Sequence, residues 1–183
     1  MADLSPLARL FEAALFASAS PVLPDALAAL DPEASDADRL AALAEVRAAY
    51  DDGHAIELVD VAGGWQLLTR FEYTQAIERA QLAARPHRLS AAALETLALI
   101  AYRQPVTRAD IEDIRGVSVG SILKTLLERG LIDVVGRAEG LGRPLLYGTT
   151  PAFLEHFALR HLGELPRSDE LAIALRPVTV AAP

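Results

Sequence analysis

Cysteine does not occur anywhere in the 183 residues. Disulfide staples and thiolate-held metals are therefore excluded. No apolar run approaches the roughly 18 residues that a bilayer-crossing helix needs, so no membrane span is expected. The opening stretch MADLSPLARLFEAAL carries Asp3 and has neither a basic leader nor a small-residue cleavage site behind an apolar stretch. It reads as mature structure, and a cytoplasmic protein is expected. Histidine is scarce, with His54, His87, His156 and His161 the full set. His156 and His161 lie five apart, which separates them by roughly 140° around a helix, so they do not share a metal.

What the chain does have is apolar bulk: 52% of its residues are hydrophobic and 23% are charged. That is ample for a core in one domain or two small ones. The net charge of −8 is unevenly spread. Residues 1–86 hold six arginines against fourteen acids, whereas residues 87–150 hold seven arginines and one lysine against seven acids. The first half should repel a phosphate backbone, and only the second tolerates one.

LAARPHRLS, residues 82–90, breaks a helical pattern at Arg85-Pro86 and restarts at Ser90, an N-cap residue. This predicts units over 1–83 and 90–166, a linker over 84–89, and a tail over 167–183 short and irregular enough to be partly disordered, although its LAIAL run could pack locally. The two units repeat each other. LFASASPVLPDALAAL (15–30) aligns without gaps on LIAYRQPVTRADIEDI (99–114). Each ends an apolar helix, turns at Pro-Val (Pro21-Val22, Pro105-Val106) and enters a second helix, with Leu27 matching Ile111 and Leu30 matching Ile114 as inward positions. Thr107 with Asp110 makes a capping-box start, while Pro24 and Asp25 open the other copy.

A third helix follows in each unit. Val119, Ile122, Leu123, Leu126 and Leu127 recur at helical spacing, and Leu40, Leu43, Val46 and Tyr50 take the same role in the first copy. Gly53 and Gly130 stand where those helices should stop. AIELV (55–59) with QLL (66–68), and LIDVV (131–135) with LLY (145–147), read as hairpin strands. Three helices closed by a hairpin is the winged-helix architecture, so the expected class is mainly α with small β-hairpins (α+β), as two tandem winged-helix domains. Helices over 71–83 and from Thr150-Pro151 through PAFLEHFALRHL complete the chain.

Catalytic motifs are poorly supported. GVSVG (116–120), with Asp133 and His156 following, matches a nucleophile elbow in letters, but that motif needs a strand before the serine; a helix precedes it here, and Ser118 or its neighbours are expected to cap the third helix. GRAEGLGRPLLYG (136–148) leads into a strand rather than a P-loop helix and reads as a wing tip bearing Arg137 and Arg143. DNA binding would use the third helix. In the first unit that helix carries Asp36, Asp38, Glu45, Asp51 and Asp52 against Arg39 and Arg47; in the second, Lys124 and Arg129 are offset by Glu128. This is thin against the six or more phosphate contacts of strong binders.

Protein binding fits better. Tyr102, Arg103, Gln104 and Pro105 crowd at the end of an apolar helix, a combination enriched where interfaces concentrate energy; the alternative is that Tyr102 closes the core and Arg103 pairs with Asp110 or Glu112. In the first helix Leu7, Leu10, Phe11, Ala14, Leu15 and Phe16 cover more circumference than one core face requires. The surplus goes either against a second copy of the chain or under the linker helix.

Residues 89–166, and within them ETLALIAYRQPVTRADIEDIRG (95–116) and GRPLLYGTTPAFLEHF (142–157), closely resemble the segregation and condensation protein B (ScpB) family; EAALFASASPVLPDAL (12–27) resembles its N-terminal domain more distantly. The resemblance implies a non-enzymatic subunit of the condensin-like SMC–ScpA–ScpB complex, cytoplasmic and nucleoid-associated, that supports chromosome condensation and segregation without a cofactor of its own. It implies a homodimer formed through the N-terminal unit, with Leu7, Leu10, Phe11 and Phe16 at the dimer interface. It also implies binding to the central part of the kleisin ScpA, and through ScpA to the SMC ATPase. Tyr102, Arg103, Gln104, Pro105, Arg108, Arg115, Arg143, Pro144 and Tyr147 are the kleisin-facing residues on this reading, and any DNA contact is weak or indirect. A winged-helix DNA-binding transcriptional regulator is the alternative.

Overall fold

The computed structural model describes residues 4–51, 53–80, 89–140 and 142–167. Within them the chain is mixed α and β, with small antiparallel sheets. Most of the expected linker, and the tail beyond Arg167, lie outside the described residues.

The first segment runs α1 (Pro6–Ala17), α2 (Pro24–Leu30), α3 (Asp36–Ala49), β1 (Ile56–Val61), β2 (Gly64–Thr69) and α4 (Phe71–Arg79). Local chemistry starts each helix. Ser5 Oγ accepts the Ala8 N–H and Pro6 occupies the first turn of α1, while Ser35 and Asp38 form a full capping box on α3. α1 and α3 are joined by the Tyr50 hydroxyl, which donates to Glu12 at 2.6 Å, and by Glu45, which accepts the Ser5 N–H at 2.8 Å. Phe11, Leu15, Leu27, Leu43, Val46 and Leu58 form the core beneath them.

The second segment repeats the order: α5 (Ala91–Arg103), β3 (Val106–Thr107), α6 (Arg108–Arg115), α7 (Gly120–Glu128), β4 (Ile132–Arg137), β5 (Leu145–Thr149) and α8 (Pro151–His156). Its separate core contains Leu97, Ile100, Ile111, Leu123, Leu126, Ile132 and Phe153. The Pro-Val match seen in the sequence has a structural counterpart. Val22 exchanges both backbone hydrogen bonds with Trp65 on β2, at 2.8 and 3.1 Å, and Val106 pairs with Tyr147 on β5. In each copy the valine after the proline pairs with the return strand of the hairpin, through a single bridge in the first and as the two-residue strand β3 in the second.

Several local expectations differ from the structure. α3 ends at Ala49 because Tyr50 leaves the helical region, so Gly53 does not cap it. Gly130 does cap α7: at φ 66° it lets the Leu131 N–H return to the Leu126 carbonyl. α8 stops at His156 instead of running on, since Ala158 adopts φ 52° and the Leu159 N–H closes back on Leu154 O at 2.9 Å. The same cap geometry is built there without a glycine, which removes its sequence signal. Leu30, Leu40 and Ile114, expected inward, are exposed. The α7 N-terminus is not capped by Ser118; Glu112 of α6 accepts the Val119 N–H at 2.9 Å instead.

Candidate partner interface

The residues expected to face a partner in the second segment divide between surface and support. Tyr102 is 42% exposed and its hydroxyl donates to the Pro166 carbonyl, so it does not close the core. Arg103 and Pro105 are exposed. Neither acid proposed for Arg103 takes it, because Asp110 accepts from Thr107 and Glu112 pairs with Arg108. Gln104 is a brace: its Nε2 donates to Thr149 Oγ1 at 2.9 Å while its Oε1 accepts the Thr149 N–H at 2.7 Å. These bonds fix the α5 end against β5, ahead of the cis Gln104-Pro105 bond.

Arg108 is exposed and donates to Glu112 Oε1 at 2.9 Å, and its guanidinium also reaches Ser118 Oγ at 3.4 Å. The Glu112 carboxylate, holding the Val119 N–H first and Arg108 second, is kept below the usual glutamate range. Asp110 is lowered likewise by the Thr107 hydroxyl and N–H. Arg115 is largely covered and pairs with Glu95 of α5. Seven residues along one helix place it about 10 Å from Arg108. Arg143 and Pro144 sit at the hairpin tip, both exposed, with the Pro144 carbonyl accepting the Ala138 N–H at 2.9 Å. Tyr147 is only 8% exposed and packs in the core. The set thus lies at the α5–β3 corner, along α6 and at the tip of the hairpin; its buried members hold the exposed ones in place.

On α1, Phe11 is 0% exposed and is a core residue, not a surface one, and Leu7 is partly buried against the same core. The broad apolar arc is explained by helix geometry: Ala8, Phe11 and Leu15 face inward, while Leu10, Ala13, Phe16 and Ala17 fall on the far side. Phe16 is 81% exposed and Leu10 39%. This outer face carries only one charge, Arg9.

Sequence reasoning missed two grooves. One, of about 400 Å³, lies between α2 and α3 and is lined by Leu27, Leu40, Leu43 and Trp65; Arg39 lies on its wall, with a buried Nε that lacks a hydrogen bond. The other, of about 410 Å³, runs along α5 beside α8. Leu94, Ala98, Ala101 and Tyr102 form its stripe at i, i+4, i+7 and i+8, a spacing that is visible in the sequence.

The third helices show no cationic ridge. On α3, Arg39 pairs with Asp36 and Arg47 with Asp60, each at 2.8 Å; on α7, Lys124 lies 3.7 Å from Glu128. Among the described residues no cluster of three or more histidines and acids is placed to hold a metal, and no helix is long and apolar enough to cross a membrane.

The chain is 51% identical over 166 residues to segregation and condensation protein B of Moorella thermoacetica, covering 88% of this chain and 82% of that protein. It is 47% identical to the protein of the same name from Syntrophotalea carbinolica, covering 92% and 85%. Among solved structures, ScpB from Mycobacterium tuberculosis is 38% identical over 87% of this chain and 99% of that one, with a TM-score of 0.39. A dimer of an ScpB N-terminal domain complexed with an ScpA peptide is 26% identical over 47% of this chain and 100% of that one, with a TM-score of 0.40. A family model matches residues 9–168, taking in both helix–hairpin segments, and with these relatives it shows that the chain belongs to the family of the segregation and condensation complex subunit ScpB.

Proposed function

We propose that this chain is a non-enzymatic subunit of a bacterial SMC–ScpA–ScpB complex. It is built from two tandem winged-helix domains, residues 1–83 and 90–166, joined by a linker over 84–89. It dimerises through the outer face of α1 and binds the central region of the kleisin ScpA through the second domain, so that the SMC ATPase is reached indirectly and at the nucleoid. Family membership supplies the complex. The observation that carries the mode of assembly is the outer face of α1, where Arg9 is the one charge and Phe16 is 81% exposed. A large aromatic left in water at an almost uncharged surface is the kind of residue that interfaces bury. Of the four α1 residues, Leu10 and Phe16 are the proposed contacts, Leu7 flanks them, and Phe11 supports the helix from beneath. On the kleisin side Tyr102, Arg103, Pro105, Arg108, Arg143 and Pro144 are the proposed contacts, with Gln104, Arg115 and Tyr147 holding them.

Phe16→Asp tests the first part, because it places a charge in the proposed interface without touching the core. Light scattering should count one chain where the parent counts two, with an unchanged melting curve for the second domain. The kleisin part is tested by binding a central ScpA segment at rising salt. Burial of apolar surface is poorly screened, so the complex should persist at about 0.5 M salt; its loss at moderate salt, alongside salt-sensitive binding to duplex DNA, would transfer the function to nucleic acid.

A further inference from the structure

A backbone hydrogen bond joins the two helix–hairpin segments. The Ala62 N–H, at the turn between β1 and β2, donates to the Leu159 carbonyl behind α8 at 2.9 Å. Each partner is held in place by its own segment. Ala62 and Gly63 form a two-residue turn at φ 50° and 76°, beyond the last ladder pair Val61–Gly64, so the Ala62 N–H is not used by the hairpin. On the other side the Leu159 N–H closes back on Leu154 O at 2.9 Å and its side chain packs against the second core, which leaves its carbonyl for a partner outside α8. Ala62 and Ala158, before Leu159, are two of the three non-glycine residues with positive φ among the described residues. Backbone in that region persists where the surroundings determine it, and here the two positions flank a single contact.

An independent feature spans the same junction. A cavity of about 480 Å³ is walled on the first segment by Arg47, Asp51, Glu57, Asp60 and Arg70, and on the second by Arg160, the residue after Leu159. The first segment thus brings three acids against two arginines to the cavity, and Arg160 evens the balance. Glu164 fixes Arg160 there, accepting its backbone N–H at 2.7 Å and also its guanidinium.

We propose that the β1–β2 turn is a reversible latch: it docks on the Leu159–Arg160 loop of the same chain and holds the two segments in one mutual arrangement. The Arg160 cation and the acidic wall opposite it draw the loop to the turn and disfavour other arrangements. Small contacts of this kind let domains move relative to one another, so the latch selects an arrangement without merging the two cores. When it is closed, surfaces on the two segments are presented at a fixed spacing; when it is open, they act independently. The inference does not depend on which partners those surfaces take.

The natural absence of cysteine supplies the test. Two full-length double variants share Arg160→Cys and differ in its partner: Ala62→Cys at the turn, or Ala55→Cys, an exposed site before the far end of β1. Seven steps of extended chain put Ala55 about 23 Å from Ala62. A disulfide needs Cα atoms within about 7 Å, so under mild oxidation the Ala62 pair should close within one chain at least about tenfold faster than the Ala55 pair. Equal rates would mean that the segments tumble independently, and bridges between two chains would put the contact in trans; either result overturns the proposal. The unaltered protein gives a second readout. In amide exchange followed by NMR, the Ala62 N–H should exchange at least about tenfold more slowly than the Gly63 N–H of the same turn. Equal exchange at the two amides would sink the latch.

Discussion

Glu112 illustrates how much one side chain organises at the turn between α6 and α7. Its carboxylate accepts from Arg108, Ser118 and the Val119 N–H, tying together the start of α6, the loop and the start of α7. These bonds favour the ionised form, the backbone bond most, which lowers its pKa in the folded state. The consequence for stability has a definite sign. A carboxyl whose folded pKa lies below its unfolded value stabilises the fold above that unfolded value, 4.5, and loses the contribution as the pH falls through the folded one. Glu112→Gln should therefore melt lower than the parent at pH 7, and the gap should narrow as the pH is taken well below 4.5. A gap of the same size at both ends of that range would show that the carboxylate charge is not what holds the turn. Tyr50 behaves in the opposite sense. The hydrogen bond to Glu12 pushes its pKa up to about 12, so its contribution is complete below the ordinary value of 10.0 and disappears only in strong alkali.

At the level of elements, the repeated valine bridge makes the tightest steric demand. A Cβ built on Gly64 would stand 2.6 Å from the Val22 carbonyl oxygen, which is backbone and itself accepts the Trp65 N–H. Gly64→Ala should thus push the Val22 bridge off β2 and cost about 1–3 kcal/mol, the scale of one or two disrupted hydrogen bonds. Chemical denaturation of the variant checks this, and a loss under about 0.5 kcal/mol would mean the bridge shifts without penalty. The helix order, the hairpins and the capping box at Thr107 were all legible in the sequence, because apolar spacing and side-chain caps are local signals. The inner edge of each helix was less so. Periodicity locates an arc but not the neighbour that covers it, so Leu30, Leu40 and Ile114 were assigned inward and are exposed, whereas Phe11 lies at the centre of its arc and is buried. The same limit applies to the candidate interface. Tyr147 and Gln104 adjoin the exposed candidates, yet strand pairing turns one into the core and makes the other a brace. The end of α8 left no trace at all, since its cap is built on Ala158 in a conformation that usually advertises itself through glycine.

At the scale of the whole molecule, charge and core divide along the same line. Residues 1–86 carry six arginines against fourteen acids, and the described part of that stretch has one core; the nearly neutral second segment has another, with no residue in common between the two clusters. An acidic segment with an apolar outer face on its first helix suits self-association among like chains only where that face itself is uncharged, as the far side of α1 nearly is. A near-neutral segment with scattered exposed arginines suits a peptide partner. Separate cores also imply separate cooperativity. Phe11 is fully buried in the first core, so Phe11→Ala leaves a cavity and should cost about 3–5 kcal/mol. For a segment of this size that lowers its midpoint by at least about 10 °C. Calorimetry of the variant should show one transition displaced by that amount and a second at the parent's temperature. If the whole heat absorption moved together, the two segments would be a single cooperative unit, and the proposed division of labour between dimerisation and partner binding would lose its physical basis.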